Sequence, residues 1–327
     1  MVTPPQIDPS SPLLFIINGA SGANDQNAKR DAIQLALDSV GRRGELIFSK
    51  PAELDRVAKE AASKAVASRT ALVAVGGDGT INAVAQAAHA ANCAMGVIPQ
   101  GTFNYFARTH GISSDPAEAT HMLCMSEPVP VQVAAINDRI FLVNASLGLY
   151  PELLEDREAY KARFGRSRLI ALGAGLMTML RAQRRLRLRI AFGTSARDVL
   201  TLTLFVGNNR LQLSQIGVQP DAGAPADGRI TAVMLRPIGT VAMIRLMLHG
   251  AMGTLGEDSS VEYFDFNQMV VEPSRIRTGA RVKVAFDGEV TAMRAPLHFR
   301  VMREPLYLLK SPELIRAASS EISKKDA

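Results

Sequence analysis

Five residues, Gly76-Gly77-Asp78-Gly79-Thr80, end a short apolar run from Ala71 to Val75 and precede a helical stretch from about Ile81 to Ala90. A strand that is apolar on both faces must be covered on both faces, and one that stops on glycines and restarts as a helix belongs to an α/β layer. The same texture recurs on either side. Leu13 to Ile17 stops at Asn18-Gly19-Ala20-Ser21-Gly22, and Ala94 to Ile98 stops at Pro99-Gln100-Gly101-Thr102. Glu45 to Phe48 reads as a further strand, and residues 25–40, 52–68 and 116–125 have helical spacing. Alternating strands and helices predict a parallel sheet with helices on both sides. Ligands bind such sheets beyond the carboxyl ends of the strands, so the three glycine-containing loops are expected to converge on one crevice.

From about residue 130 the pattern changes to short segments of period two. They are Val129–Ile136, Arg139–Asn144, Leu186–Phe192, Val199–Gly207, Arg229–Leu235, Gln268–Glu272, Arg281–Phe286 and Leu297–Met302. These predict an antiparallel β-sandwich or barrel. Two helical stretches interrupt them, at about 151–182 and 240–253, the second with Val241, Ile244, Met247 and Leu248 on one side. A chain of 327 residues has room for two such domains.

Composition removes several function classes. Cys93 and Cys124 make no disulfide framework, and 5 scattered histidines make no zinc site. The start, Met1-Val2-Thr3-Pro4-Pro5, lacks the basic and apolar regions of a signal peptide. The longest apolar stretch, Leu169 to Leu180, is too short to span a bilayer, so a soluble or peripheral protein of the cytoplasm is expected. Net charge is +6 and unevenly spread: residues 157–189 hold ten Lys or Arg against the single acid Glu158. Such a patch attracts a polyanion, either nucleic acid or an anionic membrane. With 5% aromatics, no Trp and no nucleic-acid motif, base stacking is poorly served, so no nucleic-acid partner is expected.

The loop at Gly76 carries the chemistry. Glycines let backbone approach a phosphate chain, and a following helix N-terminus offers free N–H groups and a positive dipole end. Asp78 can hold Mg²⁺ and Thr80 can donate to a phosphate oxygen. The loop is neither a P-loop nor a Gly-x-Gly-x-x-Gly fingerprint. Thr102, Asn104 and Arg108 follow the next strand, and Asn18, Ser21 and Gly22 follow the first. Near the end stands Phe286-Asp287-Gly288-Glu289. Asp-Gly is a hairpin signal. Asp287 is also a candidate general base that takes a proton from an alcohol as it attacks phosphorus.

Together these motifs resemble the diacylglycerol kinase catalytic-domain family, which includes sphingosine kinases, ceramide kinases and bacterial lipid kinases. The most specific parts are Gly76 to Thr80 and Gly101-Thr102-Phe103-Asn104, joined by Asn144-Ala145-Ser146-Leu147-Gly148, Asp227-Gly228 and Asp287-Gly288-Glu289. The resemblance implies an NAD-kinase-like three-layer α/β domain over 12–130, rejoined by 306–327, and a β-sandwich lipid-substrate domain over 131–305. ATP would contact Asn18, Ser21, Gly22, Gly76, Gly77, Gly79, Thr80, Gly101, Thr102 and Asn104. Asp287 would be the base, with Asp78 and Glu289 around the Mg²⁺ and Asp227 at a second, structural Mg²⁺. The acceptor would be a lipid hydroxyl of diacylglycerol, phosphatidylglycerol or sphingoid type. The enzyme would sit at the inner face of the membrane through its basic segment 157–189, and homodimers occur in the family.

Two departures stand out. Gly19 replaces a proline of the first loop, and Tyr105 replaces the second acid of the Gly-Thr-x-Asn-Asp pattern. A shifted substrate or reduced activity would follow if that acid serves metal or substrate. An NAD kinase shares the Gly76 loop, and a nucleotide- or lipid-binding regulator without catalysis is the remaining alternative.

Overall fold

The computed structural model describes residues 3–19, 23–101, 103–148, 185–215, 217–218, 228–239, 241–243, 245–246, 249, 254, 256, 258–274 and 279–316. The fold is mixed α/β with three sheets, and the chain divides into two compact units, Met1–Gln132 with Arg303–Ala327, and Val133–Met302.

The first unit runs β1 (Leu13–Asn18), α1 (Ala23–Ser39), β2 (Gly44–Ser49), α2 (Leu54–Ala67), β3 (Leu72–Gly76), α3 (Asp78–Ala91), β4 (Met95–Pro99), α4 (Tyr105–Thr109), α5 (Pro116–Cys124) and β5 (Glu127–Val131). The chain's last strand, β18 (Leu306–Lys310), returns to it. The sheet order is β2-β1-β3-β4-β18-β5, with every pair parallel except β18 and β5. All of β3 and β4 is buried, as their unbroken apolar sequences require of central strands. Helix α2 buries a stripe of small residues, Ala58, Ala61, Ala62 and Ala65, at helical spacing. Helix α5 starts where Asp115 accepts from the Glu118 N–H at 2.8 Å and Pro116 takes the first helical position. From β1 the chain steps to β2 on one side and reaches β3 on the other. This reversal of strand order opens a crevice at the carboxyl edge between β1 and β3.

One expected strand is split. Val129–Ile136 reads as one segment of the second domain, but Glu127–Val131 pairs with β18 as the edge of the first sheet. Pro128 and Pro130 lack an N–H, which an edge strand tolerates and a central one does not. Only Ala134–Ile136 passes to the second unit.

That unit contains β6 (Ala134–Ile136), β7 (Arg139–Phe141), β8 (Asn144–Gly148), β9 (Leu186–Phe192), β10 (Ser195–Thr201), β11 (Thr203–Gly207), α6 (Arg210–Gln215), β12 (Ile230–Leu235), β13 (Val261–Phe266), β14 (Gln268–Pro273), β15 (Arg281–Phe286), β16 (Glu289–Arg294) and β17 (Leu297–Val301). Its sheets have the orders β10-β9-β14-β17-β6-β7 and β13-β12-β11-β8-β15-β16, and their pairs are antiparallel. Both contribute to one apolar core, in which Ala145, Leu147 and Phe286 meet Ile190, Met269 and Phe299. The segment Val199–Gly207, expected as continuous, breaks at Leu202 so that its halves enter different sheets. Thr201 marks the corner, donating to the carbonyls of Thr203 and Leu235, each at 2.7 Å.

Two further expectations meet the described residues only in part. Val241 does not join an apolar face: it is 83% exposed, while Met243 and Leu246 pack with Leu202 and Leu235. Most of the basic segment 157–189 lies outside the described residues. On β9 the side chains of Arg187 and Arg189 are exposed, but Arg189 stands across from Asp198 of β10 and Glu272 of β14. Acids therefore flank that end of the run. Among the described residues, no helix is long and apolar enough to cross a membrane.

Candidate functional site

The three loops expected to converge do so at the carboxyl edge of the first sheet. Asn18, the last residue of β1, donates from Nδ2 to Thr80 Oγ1 at 3.2 Å. Gly77 and Gly101 bring the loops after β3 and β4 into backbone contact. A Cβ on Gly101 would lie 3.0 Å from the Gly77 Cα and 2.7 Å from Asn104 Oδ1, so only glycine fits there. Gln100 N–H donates to the Gly76 carbonyl at 2.8 Å, and the Asn104 backbone N–H donates to the Asp78 carboxylate.

Helix α3 starts inside this junction. Gly77 is its N-cap, in extended conformation, and makes no side-chain cap. The first N–H groups of α3 lack helical partners, while Ile81 N–H already bonds the Gly77 carbonyl. Amides and the helix dipole make this edge suited to an anion. Asp78 sits at the same point. Burial pushes its pKa above the ordinary carboxylate range, and the Asn104 N–H opposes that only in part. Its Oδ1 is buried and has no hydrogen-bond partner. A buried carboxylate oxygen without a donor is costly and suits a cation.

Side chains expected to touch ligand also hold the loops. Asn104 adopts a left-handed backbone, φ 47°, and its amide closes a ring with Gly101. Oδ1 accepts from the Gly101 N–H and Nδ2 donates to the Gly101 carbonyl, both at 2.9 Å. Thr80 is 3% exposed and packs against Gly76, where a Cβ would sit 2.6 Å from its Oγ1. Ser21, Gly22 and Thr102 lie outside the described residues, as does Asp227.

The two carboxylates of the last motif lie in the second unit and differ sharply. Asp287 and Gly288 have φ of 44° and 87°, the pair of positive values of a type I′ turn, and they join β15 to β16. The Asp287 side chain is 4% exposed. Its Oδ2 accepts from the Leu142 N–H at 2.7 Å, and its Oδ1 accepts from Val143 at 2.8 Å and Asn144 at 3.1 Å. Three backbone N–H donors thus converge on this one carboxylate. Asp287, expected as the general base, also anchors the turn between β7 and β8. Glu289, the first residue of β16, is exposed. Among the described residues, no group of three or more Asp, Glu, His or Cys side chains that could hold a metal ion forms.

Sequence reasoning missed two features. The amide run at Leu142–Asn144 carries no side-chain signature, because its chemistry is all backbone. Next to it, Asn144 Oδ1 and Ser146 Oγ are buried without partners, although Asn144 Nδ2 donates to Gln212 Oε1 at 2.9 Å.

The family model described as "Diacylglycerol kinase catalytic domain" matches residues 12–136. The YegS-like probable lipid kinase of Serratia proteamaculans (strain 568) is 31% identical over 182 residues, covering 54% of this chain and 58% of that protein. That of Klebsiella pneumoniae (strain 342) is 31% identical over 175 residues, covering 52% and 57%. The chain thus spans less than two thirds of the length of these relatives. In fold it is similar to the crystal structure of a diacylglycerol kinase from Bacillus anthracis str. Sterne, with a TM-score of 0.65, 18% identity and coverage of 93% of this chain and 98% of that one.

Proposed function

We propose that this chain, whose residues 12–136 match the diacylglycerol kinase catalytic domain, is an ATP-dependent lipid kinase. The observation that supports this most directly is the junction of three loops at one sheet edge, with the free amides of α3 and the unpartnered Asp78 Oδ1 side by side. Amides to hold phosphate and a carboxylate to hold its counter-cation are the two parts that phosphoryl transfer asks of a protein.

Mg²⁺ fits this site as a partner of one carboxylate plus phosphate oxygens and water, its usual environment in kinases. When bound it neutralises the phosphate charge that builds up during transfer. The chain's own residues do the rest. The α3 amides orient the phosphates for in-line attack, and Asn104 and Gly101 keep the second loop against the first. Proton removal from the attacking lipid hydroxyl falls to the Asp287-Gly288-Glu289 motif, whose Asp287 carboxylate is held by backbone N–H groups and whose Glu289 is exposed.

The acceptor in this reading is a lipid with a free hydroxyl, of diacylglycerol, phosphatidylglycerol or sphingoid type. It is met at an anionic membrane surface to which the basic segment 157–189 contributes on the order of 1 kcal/mol per Lys or Arg near the surface. The test is transfer of labelled γ-phosphate from ATP with Mg²⁺ to a panel of lipids in mixed micelles, with NAD in parallel. A labelled lipid supports the kinase and names its substrate. Label on NAD alone makes it an NAD kinase, and bound ATP without transfer to any acceptor makes it a regulator.

A further inference from the structure

Helix α4 and the loop before it leave an aromatic ring in solvent beside the nucleotide edge. Phe103 is 42% exposed, although the chain spends only 5% of its residues on Phe, Trp and Tyr. Its ring is parallel to that of Tyr105, with 4° between the planes and 5.9 Å between centroids, an offset stack. The Arg108 guanidinium lies 5.9 Å from the Tyr105 centroid and adds a cation to the assembly. The backbone beneath is held on both sides. Asn104 is tied to Gly101, and Phe106 and Ala107 are buried. The stack is therefore carried on a fixed support.

Its position gives it a use. Phe103 is two residues from Gly101, whose Cα meets Gly77 at the start of α3. Two residues of chain reach at most about 7 Å, a distance comparable to the ribose that separates a base from its phosphates. We propose that Phe103 and Tyr105, backed by Arg108, form the platform on which the base of the bound nucleoside triphosphate stacks. Tyr105 then serves the base at the position where the family pattern carries an acid. This inference rests on the nucleotide-binding reading above and adds to it the group that recognises the base.

The absence of Trp from this chain supplies a clean reporter. Wild type, Phe103→Ala and Phe103→Trp, all as the full chain, are titrated with ATP and with inorganic tripolyphosphate in Mg²⁺. The platform predicts that Phe103→Ala weakens ATP binding about tenfold, as loss of one base–aromatic stack does. It predicts tripolyphosphate affinity within twofold of wild type. It also predicts that Phe103→Trp restores ATP affinity and that its indole emission changes with ATP and not with tripolyphosphate. Equal ATP affinity in wild type and Phe103→Ala overturns the platform and leaves nucleotide binding standing. Parallel loss of both ligands in Phe103→Ala, or loss of vesicle association with ATP affinity intact, also overturns it, giving the ring to loop support or to lipid. A wild type that binds neither ligand removes the nucleotide reading itself.

Discussion

Val143 donates its backbone N–H to Asp287 Oδ1 at 2.8 Å, across 144 residues of sequence. With Leu142 and Asn144 it surrounds one carboxylate by three donors. Asp287→Asn replaces an acceptor-only group by one that turns a donor toward those amides. We expect a loss of stability of roughly 2–4 kcal/mol, since a buried donor is left facing donors. Chemical denaturation measures it. A variant of wild-type stability that has lost its turnover would give Asp287 the role of base rather than of anchor.

Glu289 carries the opposite expectation. It is exposed at the first position of β16, so Glu289→Gln should melt within about 0.5 kcal/mol of wild type. If it takes the proton from the acceptor hydroxyl, turnover falls by roughly 10²–10⁴. Nucleotide affinity is expected to stay the same. Steady-state kinetics alongside nucleotide titration separate these effects, and full turnover in the variant would remove Glu289 from proton transfer.

Asp78 is strained by its own charge. Burial raises its pKa, so ionisation is harder in the folded chain than in the unfolded one. The stability tied to this group is complete below the unfolded value of 3.8 and is lost as pH rises through the raised folded value. Asp78→Asn is expected to melt at or above the wild-type temperature at pH 7 and to lose transfer activity, a site that gives up stability for function. A marked fall in melting temperature would mean that the carboxylate is stabilising in the free protein.

His110 reports acid sensitivity. Burial, aided by the charge of Lys310, pushes its pKa from 6.5 down to about 3, and its ring packs edge-on against Phe106 at 4.7 Å. The unfolded chain binds this proton more readily, so the contribution of neutral His110 is complete above pH 6.5 and is lost as pH falls toward 3. Melting temperatures between pH 7 and 4 should fall less steeply in His110→Gln than in wild type. Equal slopes would show that other groups set the acid limit.

The first unit was legible because its signals are local. Unbroken apolar strands ending on glycine or proline, as at Val75-Gly76 and Ile98-Pro99, name both the element and the edge where ligands are expected. Convergence of the loops followed from parallel-sheet geometry alone. What escaped was non-local. The residues 128–130 look like any β-segment, and only β18, far along the chain, assigns them to the first sheet. Asp287 shows the limit of motif reasoning: Asp-Gly fits a hairpin and a base equally well, and the three amides that hold its carboxylate carry no side-chain pattern. The loop-holding contacts of Asn104 with Gly101 and of Thr80 with Asn18 were not legible in the motifs that named these residues.

The place of β18 between β4 and β5 has a consequence for how the protein is made. On a ribosome, β4 and β5 emerge long before the strand that joins them, and the whole of Val133–Met302 is synthesised in between. Until then the nascent chain carries an open sheet edge, the kind of surface that invites mispairing. Pro128 and Pro130 on β5 have no N–H to offer, so β5 itself gives a mispaired neighbour only part of a ladder.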